Sequence, residues 1–154
     1  AIQPKSTAFK QALLALKKND NADISMPMGD FVLPKKSNIP LSFIAGGIGI
    51  TPFLSILKNQ SELNENRDIT LLYFAKKDAF MPSPTLNKLG NKFIKKPSRI
   101  SSKEIFNILA PTTLHYIYIA GPENMAEQLT KDFINYGVKS NHIFTDFFSG
   151  YSKI

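Results

Sequence analysis

The sequence predicts a doubly wound α/β fold, in which a mostly parallel sheet of five strands carries helices on both faces. Two observations predict it. Short apolar runs without regular polar alternation recur along the chain, and such runs are typical of parallel strands buried on both faces. Segments with the apolar spacing of helices separate these runs, as the crossovers between parallel strands require.

The first predicted element is a short helix. Phe9, Leu13 and Leu16 follow a period of about 3.6 residues. Ser6 and Thr7 precede this pattern, and both residue types favour the N-cap position because their hydroxyl oxygens accept a hydrogen bond from the first helical turn. We therefore expect a helix that begins close to these two residues.

The pattern of apolar and polar residues changes near residue 40, which predicts a domain boundary. Residues 22–33 alternate between apolar and polar side chains and are broken by a proline and a glycine, which predicts two short strand pieces joined by a turn. Residues 34–40, PKKSNIP, have prolines at both ends and polar residues between them, as linkers do. The apolar runs of the predicted sheet begin directly after this linker.

Four apolar runs predict the main strands of the sheet. They are LSFIAG (41–46), DITLLYFA (68–75), LHYIYIAG (114–121) and HIFTDFF (142–148). Residues 80–100 supply at most one short helix and one short edge strand. The four runs and this edge strand make up the five predicted strands.

Helical patterns follow the first and third of these runs. Phe53, Ile56 and Leu57 give the first helix an apolar stripe. The second helix begins at Pro122 and ends before Gly137, since proline favours helix starts and glycine favours the position just past the end. Its apolar stripe consists of Met125, Leu129, Phe133 and Tyr136.

Composition excludes several classes of protein. No apolar run approaches the ~20 residues of a membrane span. The chain contains no cysteine, which excludes disulfides and cysteine-ligated metal sites and fits a reducing cytoplasm as the expected location. His115 and His142 are far apart in the sequence, and no metal site is expected.

The net charge of +7 suits anionic partners. The lysines come as scattered doublets, mostly next to turn residues, which is typical of a solvated surface, and nucleic acid is therefore not an expected partner. The doublets are Lys17-Lys18, Lys35-Lys36, Lys76-Lys77 and Lys95-Lys96. An anionic small molecule or an acidic protein would use the same positive field.

A glycine cluster lies where ligands of parallel sheets bind. The stretch FIAGGIGITPF places Gly46, Gly47 and Gly49 at the carboxyl end of the first predicted strand. Glycines let a pyrophosphate approach the backbone, and the start of the following helix offers unpaired N–H groups. The alternative is that the glycines only make a tight turn between strand and helix.

Thr51 and Pro52 follow the glycines at the expected start of this helix. The Thr51 hydroxyl can cap the helix or bind a ligand, and Pro52 fixes the first turn. Pro52 stands where the dinucleotide fingerprint G-x-G-x-x-G has its third glycine, so the loop does not match that fingerprint.

The loop instead resembles the G-G-x-G-x-T-P loop of the pyridine-nucleotide domain in the ferredoxin–NADP reductase superfamily. Further stretches resemble other segments of that family, in the same order along the chain. They are STAFKQALLALKKNDNADISMPMGDFVL (6–33, the end of the flavin-binding barrel), DITLLYFAKKDAF (68–80), SRISSKEIF (98–106), YIAGPENM (118–125) and GVKSNHIFTDFFSGY (137–151). Two positions depart from the family pattern: Ser98 replaces a glycine, and Ala120 stands where many relatives carry cysteine.

The resemblance implies a Rossmann-like domain that presents NAD(P)H to FAD, so that hydride passes from the nicotinamide to the flavin. It implies that residues 1–40 are the remnant of a flavin-binding barrel plus a linker, and that residues 41–154 are the pyridine-nucleotide-binding domain. The first strands of the barrel have no counterpart in this sequence, so FAD is expected only in the complete protein, held by a flavin domain or a partner chain. The resemblance leaves open both the electron acceptor and the choice between a fragment and a reductase without its barrel.

By the same resemblance, two loops hold the nucleotide, one at the pyrophosphate and one near the nicotinamide half. The expected residues are Gly46, Gly47, Gly49, Thr51 and Pro52 in the first loop and Gly121, Pro122, Glu123 and Met125 in the second. Core packing is the alternative role for Met125. Ser6 and Thr7 resemble half of a flavin phosphate site, and Tyr151, with Phe148, resembles an aromatic tail that covers the flavin.

Cofactor choice is predicted from the end of the second apolar run. An acidic side chain there would bond the ribose hydroxyls of NAD, whereas basic side chains would pair with the 2′-phosphate of NADP. Lys76 and Lys77 lie at this position and Asp78 follows, which favours NADP slightly over NAD. Arg99 is a further candidate, with surface solvation as its alternative role.

Two other functions compete with the reductase interpretation. A non-catalytic nucleotide-binding or electron-transfer subunit would carry the same motifs and need a partner, and the sequence does not separate it from part of a reductase. A basic nucleic-acid module would make the glycine loop incidental. The glycine loop, the AGPENM segment and the aromatic tail all oppose that third function.

Overall fold

The structure is a computed structural model that describes residues 7–26, 29–76, 84–88, 92–111 and 114–148. The chain divides into two compact units, Ala1–Asp30 and Phe31–Ile154. None of the helices in the described ranges is long and apolar enough to cross a membrane.

The smaller unit contains one helix, α1, at Ala8–Ala15. The Thr7 side chain accepts a hydrogen bond from the Lys10 backbone N–H at 3.4 Å, so Thr7 is the N-cap that the sequence predicts, while Ser6 lies outside the described residues. No side chain of α1 is buried, and Phe9 and Leu14 are more than half exposed.

The strand pieces expected within residues 22–33 are not formed in the described part of that segment. A strand is stable only when its backbone N–H and C=O groups pair with a neighbouring strand. Among the described residues, the first strand begins at Leu41, and residues 22–26 and 29–33 pair with no described strand.

The larger unit is built on one sheet of five parallel strands in the order β3-β2-β1-β4-β5. The strands are β1 (Leu41–Gly46), β2 (Ile69–Phe74), β3 (Phe93–Lys96), β4 (Tyr116–Pro122) and β5 (Ile143–Phe148). This sheet confirms the predicted doubly wound architecture, including the short edge strand β3.

Within the described ranges, the segments between the strands contain four helices and two complete 3₁₀ turns. They are a 3₁₀ turn at Gly47–Gly49, α2 (Ile50–Glu62), α3 (Pro84–Asn87), α4 (Ser102–Leu109), α5 (Glu123–Asn135) and a 3₁₀ turn at Ser140–His142. The sequence analysis does not predict α4. Its signal is a capping box, because the Ser101 hydroxyl accepts a hydrogen bond from the Glu104 N–H at 3.2 Å.

The two faces of the sheet carry separate apolar cores. Alternate residues of β1 point to opposite faces, so Phe43 packs with Phe53 of α2 on one face, and Ile44 packs with Phe133 of α5 on the other. All six residues of β1 are buried, as expected for the central strand of a doubly covered sheet. A fully buried side chain of this size stabilises the fold by roughly 1.5–3 kcal/mol.

Aromatic contacts hold the segment before β1 on the α2 face. The rings of Phe31 and Tyr118 lie 5.3 Å apart, edge to face, and the Tyr118 hydroxyl donates to the Val32 carbonyl at 2.8 Å. Burial, with Tyr116 nearby, raises the pKa of Tyr118 to about 12, so the hydroxyl stays protonated and remains a donor. These contacts explain why the larger unit begins at Phe31.

The strand order fixes where a ligand crevice forms. From β1 the chain moves outward to β2 and β3, and then returns to place β4 on the other side of β1. The connections that leave β1 and β4 therefore diverge at the carboxyl edge of the sheet. Ligands of open α/β sheets bind in the crevice at this switch point.

Candidate functional site

The glycine cluster forms the turn that leads from β1 into α2. Gly46 ends β1, Gly47–Gly49 make the 3₁₀ turn, and α2 follows without a break. The Thr51 hydroxyl donates to the Ile48 carbonyl at 3.0 Å, and this hydrogen bond stabilises the turn. Pro52 lies in the first turn of the helix, where its missing N–H costs no hydrogen bond.

Gly46 is required by packing at the switch point. A Cβ on Gly46 would lie 2.8 Å from the sulfur and the terminal methyl of Met125. Gly121 of β4 meets the same side chain, because its Cβ would lie 2.7 Å from the Met125 methyl. The two glycines thus make room for Met125, which is 2% exposed.

Gly49 is required by packing against β4. It is buried, and a Cβ there would overlap the Ala120 carbonyl group and lie 2.6 Å from the Gly121 nitrogen. The missing side chain makes room for β4, and the predicted role of Gly49 at the pyrophosphate stays a prediction. Gly49, Thr51 and Pro52 do not line the groove described below.

Gly47 differs from the other glycines of the site. Its φ of 55° lies in the left-handed region that favours glycine, and a Cβ there would meet no atom within 4 Å. The space in front of Gly47 is therefore open. Among Gly46, Gly47, Gly49 and Gly121, it is the position where a missing side chain leaves room for a ligand.

A groove runs along the carboxyl edge of the sheet and consists of two adjoining depressions. One, of about 460 Å³, lies between the glycine turn and the start of α5 and is lined by Ile48, Glu123 and Asn124 among others. The second, of about 470 Å³, lies over the ends of β2 and β3. The depressions share Gly46, Gly47 and Pro122, so the glycine turn lies where they meet.

Positive charge is concentrated at the β2–β3 end of the groove. Lys76 and Arg99 line that depression together with Phe74 and Ser98, and its described lining contains no carboxylate. The other depression carries Glu123, in the first turn of α5. The groove therefore has one end suited to an anion and one end with a single acidic side chain.

The structure brings most of the predicted nucleotide residues together. The residues that line the groove are Gly46, Gly47, Lys76, Gly121, Pro122, Glu123 and Met125. Met125 packs under the glycines, as its alternative role predicts, and it also lines the second depression, while its role in nucleotide binding stays a prediction. Lys77 and Tyr151 lie outside the described residues.

Sequence reasoning missed several residues of the groove. Ile48, Phe74, Pro97 and Asn124 line it without having been predicted, and Arg99 was only a secondary candidate. Their shared signal is a position just past or close to the carboxyl end of a strand. This signal could be used for β2, because the end of that strand was predicted. It could not be used for β3, because the sequence did not predict where that strand ends.

No protein-family profile matches the chain. The flavohemoprotein of Bacillus cereus is 28% identical over 155 residues, which cover 86% of this chain and 38% of that protein. Flavohemoprotein A of Dictyostelium discoideum is 24% identical over 150 residues, which cover 90% of this chain and 38% of that protein. The chain thus spans less than half the length of these curated relatives.

Solved structures show the same fold. The flavohemoglobin of Malassezia yamatoensis superposes with a TM-score of 0.70 at 18% identity, covering 96% of this chain and 42% of that one. A ferredoxin–NADP⁺ reductase of Plasmodium falciparum superposes with a TM-score of 0.58 at 20% identity, covering 79% of this chain and 57% of that one. The sequence is thus similar to the flavohemoproteins, and the fold is that of the NAD(P)-binding domain in ferredoxin–NADP reductase-like proteins.

Proposed function

We propose that the chain is the NAD(P)H-binding part of a flavin-dependent electron-transfer reductase. The observation that carries the proposal is the groove at the switch point of the sheet, with open space in front of Gly47 where the two depressions meet. The named relatives are flavohemoproteins, and this chain resembles them along 86% of its length in the case of the Bacillus cereus protein.

The shape of the groove fits a dinucleotide. A dinucleotide has two nucleoside halves joined by a pyrophosphate, and the groove has two depressions joined at Gly46 and Gly47. Backbone N–H groups at the start of a helix bind phosphate oxygens well, and Gly47 leaves their approach unobstructed. Gly46, Gly47 and Pro122 would therefore hold the pyrophosphate.

The two ends of the groove suit different halves of the molecule. The end lined by Lys76, Ser98 and Arg99 would hold the adenosine half, and the end at Gly121, Glu123 and the neighbouring Asn124 would hold the nicotinamide half. Bound NAD(P)H supplies a hydride to a flavin. The residues of this chain orient the cofactor, and the flavin would be held by a flavin domain or a partner chain, with a haem domain as a further partner in a flavohemoprotein.

We also propose that the site prefers NADP to NAD. Lys76 and Arg99 line the same depression, and Ser98 adds a hydroxyl beside them. A 2′-phosphate would gain charge-assisted hydrogen bonds from these groups, which a ribose hydroxyl would not. Lys77 adds a further cation next to Lys76 in the sequence.

A calorimetric titration of the purified chain with NADPH and, in parallel, with NADH tests both proposals. The expected result is saturable binding at one site, tighter for NADPH, with a preference that decreases as salt is added. Equal affinity for both cofactors would contradict the NADP preference alone, and an absence of binding by either would contradict the site. Reductase turnover on addition of a flavin domain separates a reductase part from a non-catalytic subunit.

A further inference from the structure

A further cavity lies at the opposite edge of the sheet from the groove at the switch point. We call that groove the nucleotide groove, after the function proposed for it. It has a volume of about 250 Å³ and is formed by the last turns of α2, the residues that lead into β2, and Lys88, which follows α3. Leu57 and Ile69 give it an apolar wall. One buried water molecule needs only about 30 Å³, so this cavity is large enough for a small organic molecule.

Gln60 supplies the first sign of a ligand. Its side chain lines the cavity, the residue is only 6% exposed, and its amide nitrogen Nε2 is buried without a hydrogen-bond partner in the described part of the chain. Nearly all buried polar groups in proteins are paired, because a buried donor without a partner is destabilising. An acceptor bound in the cavity would remove this cost.

Arg67 supplies two further donors. Its side chain is 7% exposed, its Nε donates to Glu65 at 3.1 Å, and both N–H groups of Nη1 are used by the carbonyls of Pro34 and Lys36 at 3.0 and 3.1 Å. The remaining nitrogen, Nη2, makes no hydrogen bond to a described residue. A guanidinium held this firmly offers its two free N–H groups in a fixed position.

Lys88 makes the cavity electropositive. Its ammonium group donates to the Ser61 hydroxyl at 2.8 Å, which leaves two of its three N–H groups. Glu65 offsets the charge of Arg67, to which it is bonded, and the described lining contains no further carboxylate to offset Lys88. The described side chains that line the cavity therefore carry a net positive charge.

We propose that this cavity binds a small oxyanion, in which a carboxylate or phosphate group accepts hydrogen bonds from Gln60, Arg67 and Lys88. The apolar wall would contact any short carbon chain that the anion carries. The site lies at the amino end of β2, whereas the nucleotide groove lies at the carboxyl edge, so the two sites are independent.

The test is a titration of the full chain with inorganic phosphate and, separately, with succinate, each compared with chloride at equal ionic strength. The signals are the heat of binding and the NMR shift of the Gln60 side-chain amide. Saturable binding by one or both anions, with a shift of that amide and a rise in Tm, is the expected result. The two arms show whether phosphate or carboxylate is the better ligand.

Two variants and one matched control make the test specific. Lys88→Gln should weaken binding about tenfold, because a charge-assisted hydrogen bond is lost. Gln60→Leu should abolish the hydrogen bond from the Gln60 amide to the anion. It should also raise the Tm of the ligand-free chain, since it removes the unpaired nitrogen. Lys58→Gln, an exposed residue of α2 outside the cavity, should leave the affinity unchanged.

The proposal fails if neither anion binds saturably, or if Lys58→Gln weakens binding as much as Lys88→Gln. Lys88 is exposed, so Lys88→Gln should fold normally. This variant therefore tests the proposal even if Gln60→Leu does not fold. NADPH binding should be the same in all three variants, which keeps this result separate from that for the nucleotide groove.

Discussion

The backbones of Gly46 and Gly121 approach each other so closely that a Cβ on Gly121 would lie 3.1 Å from the Gly46 Cα. Gly46 ends β1, and Gly121 lies near the end of β4. The two strands therefore come close together at the switch point of the sheet. Met125 packs over both of them from the first turns of α5. The floor of the nucleotide groove thus depends on two glycines and one thioether side chain.

Gly121→Ala should destabilise the fold by roughly 1–3 kcal/mol, because its methyl group would press on Met125 and on the Gly46 backbone. Urea unfolding measures the change. Met125→Ala in the same chain removes the tightest contact, so the double variant should lose less stability than the sum of the two single variants. Strictly additive losses would show that Met125 does not mediate the effect.

Gly49→Val should prevent stable folding rather than weaken nucleotide binding selectively. The new side chain would overlap the Ala120 carbonyl group, which belongs to a central strand and has no room to shift. We expect a loss of about 3 kcal/mol or more in the free energy of unfolding. A folded variant of unchanged stability, seen by circular dichroism and urea unfolding, would contradict the packing role of Gly49.

Gly47→Asp should reduce NADPH affinity while the fold is kept. Aspartate tolerates the left-handed backbone at a cost of about 1–2 kcal/mol, and the space in front of Gly47 is open. A carboxylate about 4 Å from a phosphate costs roughly 1 kcal/mol in water, which corresponds to about fivefold in affinity. Calorimetric titration gives the two affinities.

Gly47→Asn is the matched control, since it has the same shape and no charge. The asparagine variant should bind NADPH more tightly than the aspartate variant. Equal affinities in the two variants would place the phosphates away from Gly47.

Lys76→Glu combined with Lys77→Glu should weaken NADPH binding at least about tenfold more than NADH binding, because only NADPH carries a 2′-phosphate to repel. Arg99→Gln should show the same selectivity to a smaller extent. The control is Lys35→Glu with Lys36→Glu, which changes the net charge equally in the segment before β1. A similar loss in that control would indicate a general charge effect.

The stability of the fold should decrease as the pH falls from about 7.5 to about 5.5. Burial lowers the pKa of His115 below its ordinary 6.5, against smaller opposing effects from Asp68 and a backbone hydrogen bond. The unfolded chain therefore takes up a proton at a higher pH than the folded chain does. Stability is full above 6.5 and is lost as the pH falls through 6.5 toward the lowered value.

His115→Gln should flatten this pH dependence, as measured by urea unfolding at both pH values. In the native protein, His115 Nε2 bonds the Ser42 hydroxyl at 2.9 Å. Glutamine keeps a polar partner for Ser42 and does not titrate. An unchanged slope in the variant would assign the pH dependence to other groups.

The fold could be predicted from sequence because doubly covered strands have a distinctive pattern. A run such as LSFIAG has little polar alternation, and together with the helical segments that separate such runs this predicts a strand buried on both faces. The helix α4 was not predicted, although Ser101 and Glu104 have the spacing of a capping box and are a local signal for a helix start.

The roles of the glycines could not be separated from sequence. Gly47 and Gly49 are two positions apart, yet one faces open space and the other faces β4. That difference depends on the strand that comes to lie beside the turn, more than sixty residues later in the chain. The cavity at Gln60 and Arg67 was missed for the same reason, since Arg67 is held by carbonyls from the segment before β1.

The central place of β1 has a consequence for folding. One neighbour, β2, follows after a single helix, whereas the other, β4, is the fourth strand to be synthesised. Pairing at such a sequence separation forms late, since the entropy of closing the long loop must first be overcome. The half of the groove at Gly121 is therefore assembled after the half at β2 and β3, and a bound nucleotide would mark chains in which β4 has joined the sheet.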